Sequence, residues 1–203
     1  MRTGILGGSF DPVHYGHLGV ARAVADALAL DRVLLMPAAQ APLRAAGVLA
    51  SNEQREEMLR RALVELTQQT GEQRLELSDL ELDRGGVSYT ADTLRALSEG
   101  RSAESLIWIV GADQFARLEQ WREPAELARL AEWAVYARPG YAWNELAHPR
   151  VPGLRVHHVH SMAGCWDVSS SEIRARIMRG DTLTGLVPDK VIEYIRETGL
   201  YRS

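Results

Sequence analysis

Short apolar runs alternate along this chain with longer stretches in which apolar residues recur at helical spacing. Six runs have the length and composition of strands: TGILGG, RVLLMP, RLELSDLEL, SLIWIVG, WAVYARPG and LRVHHV. A helix is predicted over residues 17–30, where Leu18, Ala21, Ala25 and Leu28 share one face. Further helices are predicted for SNEQREEMLRRALVEL, YTADTLRALS, ADQFARLEQW, EPAELARLA, SSEIRARIMRG and PDKVIEYIRETG.

This alternation predicts an α/β fold, a Rossmann-like doubly wound parallel sheet with a small C-terminal helical part. We expect one domain over residues 1–203, with the sheet in 1–167 and the closing helices in 168–203. Ligands of such sheets bind beyond the carboxyl ends of the strands. The segment after the first strand, GADQF and the loop before SSEIR are therefore expected along one edge.

Composition and charge argue against some classes of protein and limit which residues can serve as cations in a pocket. The chain is 46% hydrophobic and 25% charged, with a formal net charge of -4, which argues against a general nucleic-acid or membrane binder but permits a local basic pocket. No signal segment or membrane-length apolar run is evident, so a cytoplasmic enzyme is expected, and a homo-oligomer is left open. Cys165 is the only cysteine, which excludes an internal disulfide, and Lys190 is the only lysine. Pocket cations must therefore be arginines or histidines.

The stretch GILGGSFDPVHYGH, from Gly4 to His17, carries the strongest chemical signal. Gly7 and Gly8 remove side-chain bulk after a strand, so that a ligand can approach the backbone. His14 and His17 lie at the start of the next helix, where free N–H groups and the helix dipole already favour an anion. A phosphate cradle is the favoured interpretation.

A zinc pair and two packing histidines are the alternatives. The HYGH sequence lacks the HExxH form of a zinc hydrolase. The stretch also matches neither GxGxxG nor GxxxxGK[ST], so it is neither an ordinary dinucleotide fingerprint nor a P-loop.

GGSFDPVHYGH resembles the signature of the nucleotidyltransferase superfamily that carries an HxGH motif, here residues His14 to His17. VSSSEIRARI resembles the second signature of that superfamily, ISSTxIR, with Ser171 in the usual threonine place. The segments SYTADTL, IVGADQF, LEQW, ARPG and VPDKVIEYIRETGLY are similar to the bacterial nicotinate-nucleotide adenylyltransferases and span almost the whole chain. That resemblance implies transfer of AMP from ATP to nicotinate mononucleotide, giving deamido-NAD and pyrophosphate by direct in-line attack in NAD biosynthesis.

The resemblance also implies roles for individual residues. His14, His17 and Arg174 would be catalytic, with both histidines on the ATP phosphates and His17 nearest the α-phosphate. The ATP-binding residues would be Gly8, Ser9, Phe10, Gly111, Asp113, Ser169, Ser170 and Arg174. The nicotinate mononucleotide-binding residues would be Ser9, Phe10, Arg44, Ser88, Tyr89, Thr90 and Trp121. Ordinary helix capping is the alternative for the serines. Mg²⁺ would arrive with ATP, without a metal site on the protein.

The resemblance also implies which part of each substrate these residues contact. The Asp113 carboxylate would accept hydrogen bonds from the ribose hydroxyls, and Ser170 and Arg174 would bind the triphosphate tail. Backbone N–H groups at Tyr89 and Thr90 would frame the nicotinate carboxylate, and Trp121 would stack on the pyridine ring. One loop departs from the pattern, because Leu43 stands where the family often has histidine. Arg44 keeps the cation there, although a solvated loop arginine is equally possible.

Other features receive structural interpretations. On a strand, His158 and His160 share a face that excludes His157, so HHVH is expected to pack or to face solvent. Trp108 and Trp133 are expected in the core. Two rivals remain from other classes: a non-catalytic nucleotide-binding regulator and a metal-dependent hydrolase.

Overall fold

In a computed structural model, the described residues are 1–42, 48–99, 104–137, 149–160 and 168–202. Leu43, Arg44, Cys165 and residues 138–140 of the ARPG segment lie outside these ranges, and so do the sequence-based expectations that fall on them. The strands are β1 (Arg2–Gly8), β2 (Arg32–Pro37), β3 (Leu75–Leu77), β4 (Ser105–Gly111), β5 (Glu132–Tyr136) and β6 (Val156–Val159). The helices are α1 (Tyr15–Ala27), α2 (Asn52–Thr70), α3 (Leu80–Arg84), α4 (Thr90–Ser98), α5 (Ala112–Phe115), α6 (Pro124–Leu130), α7 (Ser170–Arg179) and α8 (Asp189–Thr198), with a 3₁₀ turn at Leu118–Gln120.

The strands form one parallel sheet in the order β3-β2-β1-β4-β5-β6. The order reverses at β1, which pairs with β2 on one side and with β4 on the other. A parallel sheet binds ligands at such a reversal, beyond the carboxyl ends of the strands. The predicted α/β, Rossmann-like fold is confirmed.

Alternate residues of each strand pack into two hydrophobic cores, one on each face of the sheet. Leu6 of β1 packs in the first core with residues of α1, α2, α7 and α8, whereas Ile5 packs in the second core with residues of α4, α5 and α6. The C-terminal segment contributes Ile173, Val187 and Tyr201 to the first core. The closing helices therefore pack onto the sheet domain itself.

Two predicted elements differ from the structure. RLELSDLEL was expected to be one strand, but only Leu75–Leu77 is extended and Leu80–Arg84 forms α3. ADQFARLEQW was expected to be one helix, but it divides into α5 and the 3₁₀ turn. Helix α2 begins as predicted, because Ser51 and Gln54 form a reciprocal capping box. No helix in the described part of the chain is long and apolar enough to cross a membrane.

Candidate active site

A cavity of about 760 Å³ opens at the carboxyl ends of β1 and β4. Its walls combine residues from the ends of β1, β4 and β5 with residues from the loops that follow the strands. Eight of the residues expected to bind nucleotides line it: Gly8, Ser9, Ser88, Tyr89, Thr90, Gly111, Asp113 and Trp121. These residues are far apart in the sequence, and the reversal of strand order brings them to one cleft.

Glycines bring the backbone to the cavity surface. A Cβ atom added at Gly111 would lie 2.7 Å from Oδ1 of Asp113. One added at Gly8 would lie 3.3 Å from the Phe10 ring. Side chains at either position would have to displace these neighbours, so the bare backbone is what a ligand meets there.

The ring of Phe10 lies beneath the cavity. Phe10 is 1% exposed and has a positive φ of 48°. Its ring centroid is 4.8 Å from that of His17, and the ring is not among the cavity-lining groups. The sequence interpretation placed Phe10 in the cleft between the nucleotides, whereas the structure uses its ring as packing beneath Gly8.

His14 and His17 stand together at the start of α1. His14 is the N-cap residue, with an extended backbone, and the two imidazole centroids are 3.7 Å apart in a stacked arrangement. The backbone N–H of His17 donates to the His14 carbonyl at 3.0 Å. Two nitrogen-bearing rings therefore meet the positive end of a helix, where an anion is favoured.

The second signature contacts this same segment. Ser170 Oγ donates to the Pro12 carbonyl at 2.9 Å, and Nη1 of Arg174 donates to the Asp11 carbonyl at 2.6 Å. Ser169 caps α7, because its Oγ accepts from the Glu172 N–H at 3.2 Å. Residues more than 150 positions apart thus form one cationic corner, next to the cavity rather than in its lining.

Sequence reasoning missed two buried charged residues that hold this segment. Asp11 is 1% exposed, and its carboxylate accepts from the N–H groups of Leu49 and Ala50 at 3.0 and 3.1 Å. Arg55 is fully buried and donates to the carbonyls of Ser9 and Ala38 at 2.8 and 2.7 Å. The position of Arg55 on the apolar face of α2 was the available signal, because a charged residue in that phase must find internal partners.

The start of α4 forms a second corner, which lines the cavity. Ser88 Oγ accepts from the Ala39 N–H at 3.0 Å, which fixes the approach to the helix. The Tyr89 N–H donates to the Val87 carbonyl at 3.1 Å, so it is already used. The N–H groups of Thr90 and Ala91 have no acceptor in the described part of the chain. The backbone donors available to a ligand are therefore the N–H groups of Thr90 and Ala91, whereas the sequence predicted those of Tyr89 and Thr90.

Glu81 lies under this corner and lines the cavity. Its Oε1 accepts from Thr93 Oγ1 at 2.6 Å, and Thr93 Oγ1 accepts from Arg84 Nη2 at 3.0 Å. Burial raises the pKa of the Glu81 carboxyl, although hydrogen bonds from Thr93 and Ser88 oppose that rise. Glu81 thus ties the loop before α4 to its first turn.

Aromatic residues also line the cavity. Trp121 lines the cavity and meets the buried Trp133 edge to face, with centroids 5.8 Å apart. Arg122 lies over the Tyr89 ring at 4.7 Å and pairs with Asp92. Trp108 is buried as expected, although it also lines the cavity floor.

The HHVH run divides as its strand position predicts. His157 Nε2 lies 2.6 Å from Oε2 of Glu132, and this contact lowers the pKa of the Glu132 carboxyl. His158 and His160 are exposed on the other face, with ring centroids 6.3 Å apart. Among the described residues, no group of three His, Cys, Asp or Glu side chains could hold a metal ion.

Comparison with known proteins decides the family. A family model described as cytidylyltransferase-like matches residues 5–176. A probable nicotinate-nucleotide adenylyltransferase of Opitutus terrae is 44% identical over 204 residues, covering 100% of this chain and 98% of that protein. One of Thermus thermophilus is 41% identical over 202 residues, covering 100% of both chains. The chain belongs to the nicotinate-nucleotide adenylyltransferase family.

Solved structures agree on the fold of this family member. The nicotinic acid mononucleotide adenylyltransferase of Plasmodium falciparum complexed with NaAD has a TM-score of 0.77 and 20% identity, covering 98% of this chain and 97% of that one. The same enzyme complexed with APC has a TM-score of 0.76 and 18% identity, with coverage of 98% and 96%. At these identities the likeness shows the fold alone.

Proposed function

We propose that this chain transfers AMP from ATP to nicotinate mononucleotide, giving deamido-NAD and pyrophosphate. The carrying observation is the cleft at the β1–β4 reversal, which is lined by the start of α4 on one side and lies next to the corner at the start of α1. One corner contains the α1 start with His14 and His17, and the other contains the α4 start at Thr90. A donor and an acceptor that each carry negative charge fit such a cleft.

In this proposal, ATP occupies the corner where the HxGH segment meets the start of α7. The Arg174 guanidinium and the Ser170 hydroxyl, at the start of α7, face the triphosphate tail, where a fork-shaped cation suits phosphate oxygens. The imidazole of His17 lies nearest the α-phosphate. Asp113 is exposed at the cavity wall, where its carboxylate can accept from ribose hydroxyls.

Nicotinate mononucleotide occupies the corner at α4. The unengaged N–H groups of Thr90 and Ala91 meet the pyridine carboxylate, and the positive helix end favours this charge over a neutral amide. Trp121 offers a flat π-face to the pyridinium ring. Ser9 lies between the two corners, at the cavity surface.

The chemistry needs no general base, because the 5′-phosphate oxygen of the acceptor is already a nucleophile. That oxygen attacks the α-phosphorus of ATP in line, the bond to the bridging oxygen breaks, and pyrophosphate leaves with the bonding electrons. His14, His17 and Arg174 hold the phosphates and stabilise the charge that develops on them.

Mg²⁺ would enter with ATP as part of the substrate. The corner built from His14, His17, Ser170 and Arg174 supplies donors and cations, which attract phosphate oxygens rather than a metal ion. A magnesium ion kept by phosphates and water fits this donor set. The ion would reduce the negative charge on the leaving pyrophosphate.

A pyrophosphate-release assay with ATP and a panel of mononucleotide acceptors tests the proposal. We expect release only with an acceptor, strongest with nicotinate mononucleotide, and equal amounts of pyrophosphate and dinucleotide. Release of inorganic phosphate without an acceptor would favour the metal-dependent hydrolase, and ATP binding without turnover would favour the regulator.

The in-line step has its own test. ATP made chiral at the α-phosphorus should give a product with inverted configuration, because a single displacement inverts the centre. Retention would instead require a covalent enzyme intermediate and would contradict direct transfer.

A further inference from the structure

Tyr201, near the C-terminal end of the chain, reaches back to the loop that precedes the HxGH motif. Helix α8 ends at Gly199 in a left-handed conformation, and the chain turns inward. Tyr201 is 6% exposed, in the first core, and its hydroxyl donates to Oδ1 of Asp11 at 2.8 Å. The contact joins residues 190 positions apart in sequence.

The Asp11 carboxylate that receives this hydrogen bond is shared among several elements. Oδ1 also accepts from the Ala50 N–H, and Oδ2 accepts from the Leu49 N–H. Arg174 Nη1 lies 3.6 Å from Oδ2, but only 2.6 Å from the backbone carbonyl of Asp11. Arg174 is thus held mainly by a neutral carbonyl, while N–H and O–H donors occupy the carboxylate.

This distribution of donors controls how much of the Arg174 charge is available. A buried carboxylate that lacks donors would draw a neighbouring guanidinium into a direct ion pair. The Tyr201 hydroxyl supplies one of those donors. The side chain of Arg174 is 17% exposed, and its second terminal nitrogen, Nη2, lies 3.4 Å from Ser171 Oγ rather than on Asp11.

We propose that Tyr201 is a positioning residue for ATP, which acts by engaging the Asp11 carboxylate so that Arg174 remains available to the triphosphate. The proposal rests on the function proposed above, in which Arg174 meets that tail. Tyr201 itself touches no substrate.

The hydroxyl is a dependable donor in this role. Burial raises the pKa of Tyr201 well above its usual range, and the charge of Asp11 raises it further. The phenol therefore keeps its proton across the pH range in which the protein works.

The Tyr201→Phe variant removes the hydroxyl and keeps the ring in the core. We expect the Kd for ATP, measured by calorimetry with ATP alone, to rise roughly three- to tenfold, as for a residue in one hydrogen-bond network. The KM for nicotinate mononucleotide should stay unchanged. Tyr194→Phe in α8 is the matched control, because the ring of Tyr194 faces Arg61 away from Asp11, and it should bind ATP as the wild type does.

A double-mutant cycle separates positioning from mere stabilisation. In an Arg174→Ala background, Tyr201→Phe should weaken ATP binding no further, since its effect passes through that guanidinium. An equal additional loss there would overturn the proposal, and so would wild-type ATP affinity in Tyr201→Phe alone. A wild-type protein that binds ATP but forms no deamido-NAD would instead refute the proposed function. The effect of Tyr201→Phe on ATP affinity could still be measured in that case.

Discussion

At the scale of single residues, the site contains two kinds of polar group. Asp11 and Arg55 are buried and hydrogen-bond mainly to backbone atoms of nearby loops, with the side chains of Tyr201 and Asn52 as further partners. His17 and Arg174 are partly exposed and stand where phosphates are proposed to bind. Changes to the first pair should act on folding, and changes to the second pair on turnover.

His17→Ala should lower kcat by about two to three orders of magnitude, the usual loss for removing one preorganised donor to a charged transition state. The melting temperature should remain near that of the wild type, because the ring of His17 is only partly buried. Steady-state kinetics and a thermal melt on the same preparation check both statements. His160→Ala, on exposed β6-side surface, is the control, and near-normal turnover in His17→Ala would exclude the assigned role.

Eight residues of the cavity lining could be named from the sequence, because they lie in short local patterns. Two features of the site could not be predicted in this way. The ring of Phe10 packs beneath Gly8, which follows from its positive φ and not from its apolar character. The partners of Asp11 depend on Tyr201 and Arg174 arriving from the far end of the chain, and no local pattern encodes that meeting.

At the scale of elements, stability depends on how the open N–H groups at the helix ends are satisfied. Helix α8 has Pro188 at its N-cap and no side-chain cap of its own. Buried Glu65 of α2 supplies one from outside, accepting from the N–H groups of Asp189 and Lys190 at 3.1 and 2.7 Å. A carboxylate at a helix N-terminus satisfies open donors and complements the dipole.

Glu65→Gln should destabilise the protein by about 2 kcal/mol, since the variant loses the charge and turns one acceptor into a donor facing N–H groups. In a chain of this size that corresponds to roughly 4 to 8 °C in Tm. Thermal and denaturant unfolding measure the change, with exposed Glu193→Gln on α8 as the control. Matching curves for the two variants would show that α8 needs no external cap.

Element boundaries were harder to predict than element types. RLELSDLEL alternates up to Leu77 and again from Leu80, but the two stretches are out of phase across Ser78 and Asp79. The chain leaves the sheet at this break and forms α3. The short helix places Glu81 where Thr93 donates to it. Each stretch by itself fits a half-buried strand, and the phase break marks where the strand ends.

At the scale of the whole molecule, charge coupling makes stability depend on pH. Half-buried Glu72 receives hydrogen bonds from the Arg74 side chain at 2.7 and 3.0 Å, and these contacts lower its pKa to about 2. Because the pKa in the folded protein lies below the ordinary glutamate value of 4.5, the stabilisation is complete above pH 4.5 and is lost as the pH falls toward 2. Glu81 contributes with the opposite sign, since burial raises its pKa.

Glu72→Gln should therefore lower the free energy of unfolding by about 1 to 3 kcal/mol at pH 7. The difference from the wild type should shrink as the pH falls from 4.5 to 2. Urea unfolding at several pH values measures it. A difference that stays constant across that range would contradict the ionic origin of the effect.

Substrate selectivity belongs to the whole cleft, where we propose that one corner takes ATP and the other takes a mononucleotide bearing a carboxylate. The measurement that tests it most directly is kcat/KM with ATP and either nicotinate mononucleotide or nicotinamide mononucleotide, with the dinucleotide product quantified. We predict formation of deamido-NAD and a preference for the acid of at least about tenfold, which corresponds to about 1.4 kcal/mol from the charge at the α4 start. Equal rates, or a preference for the amide, would contradict the account.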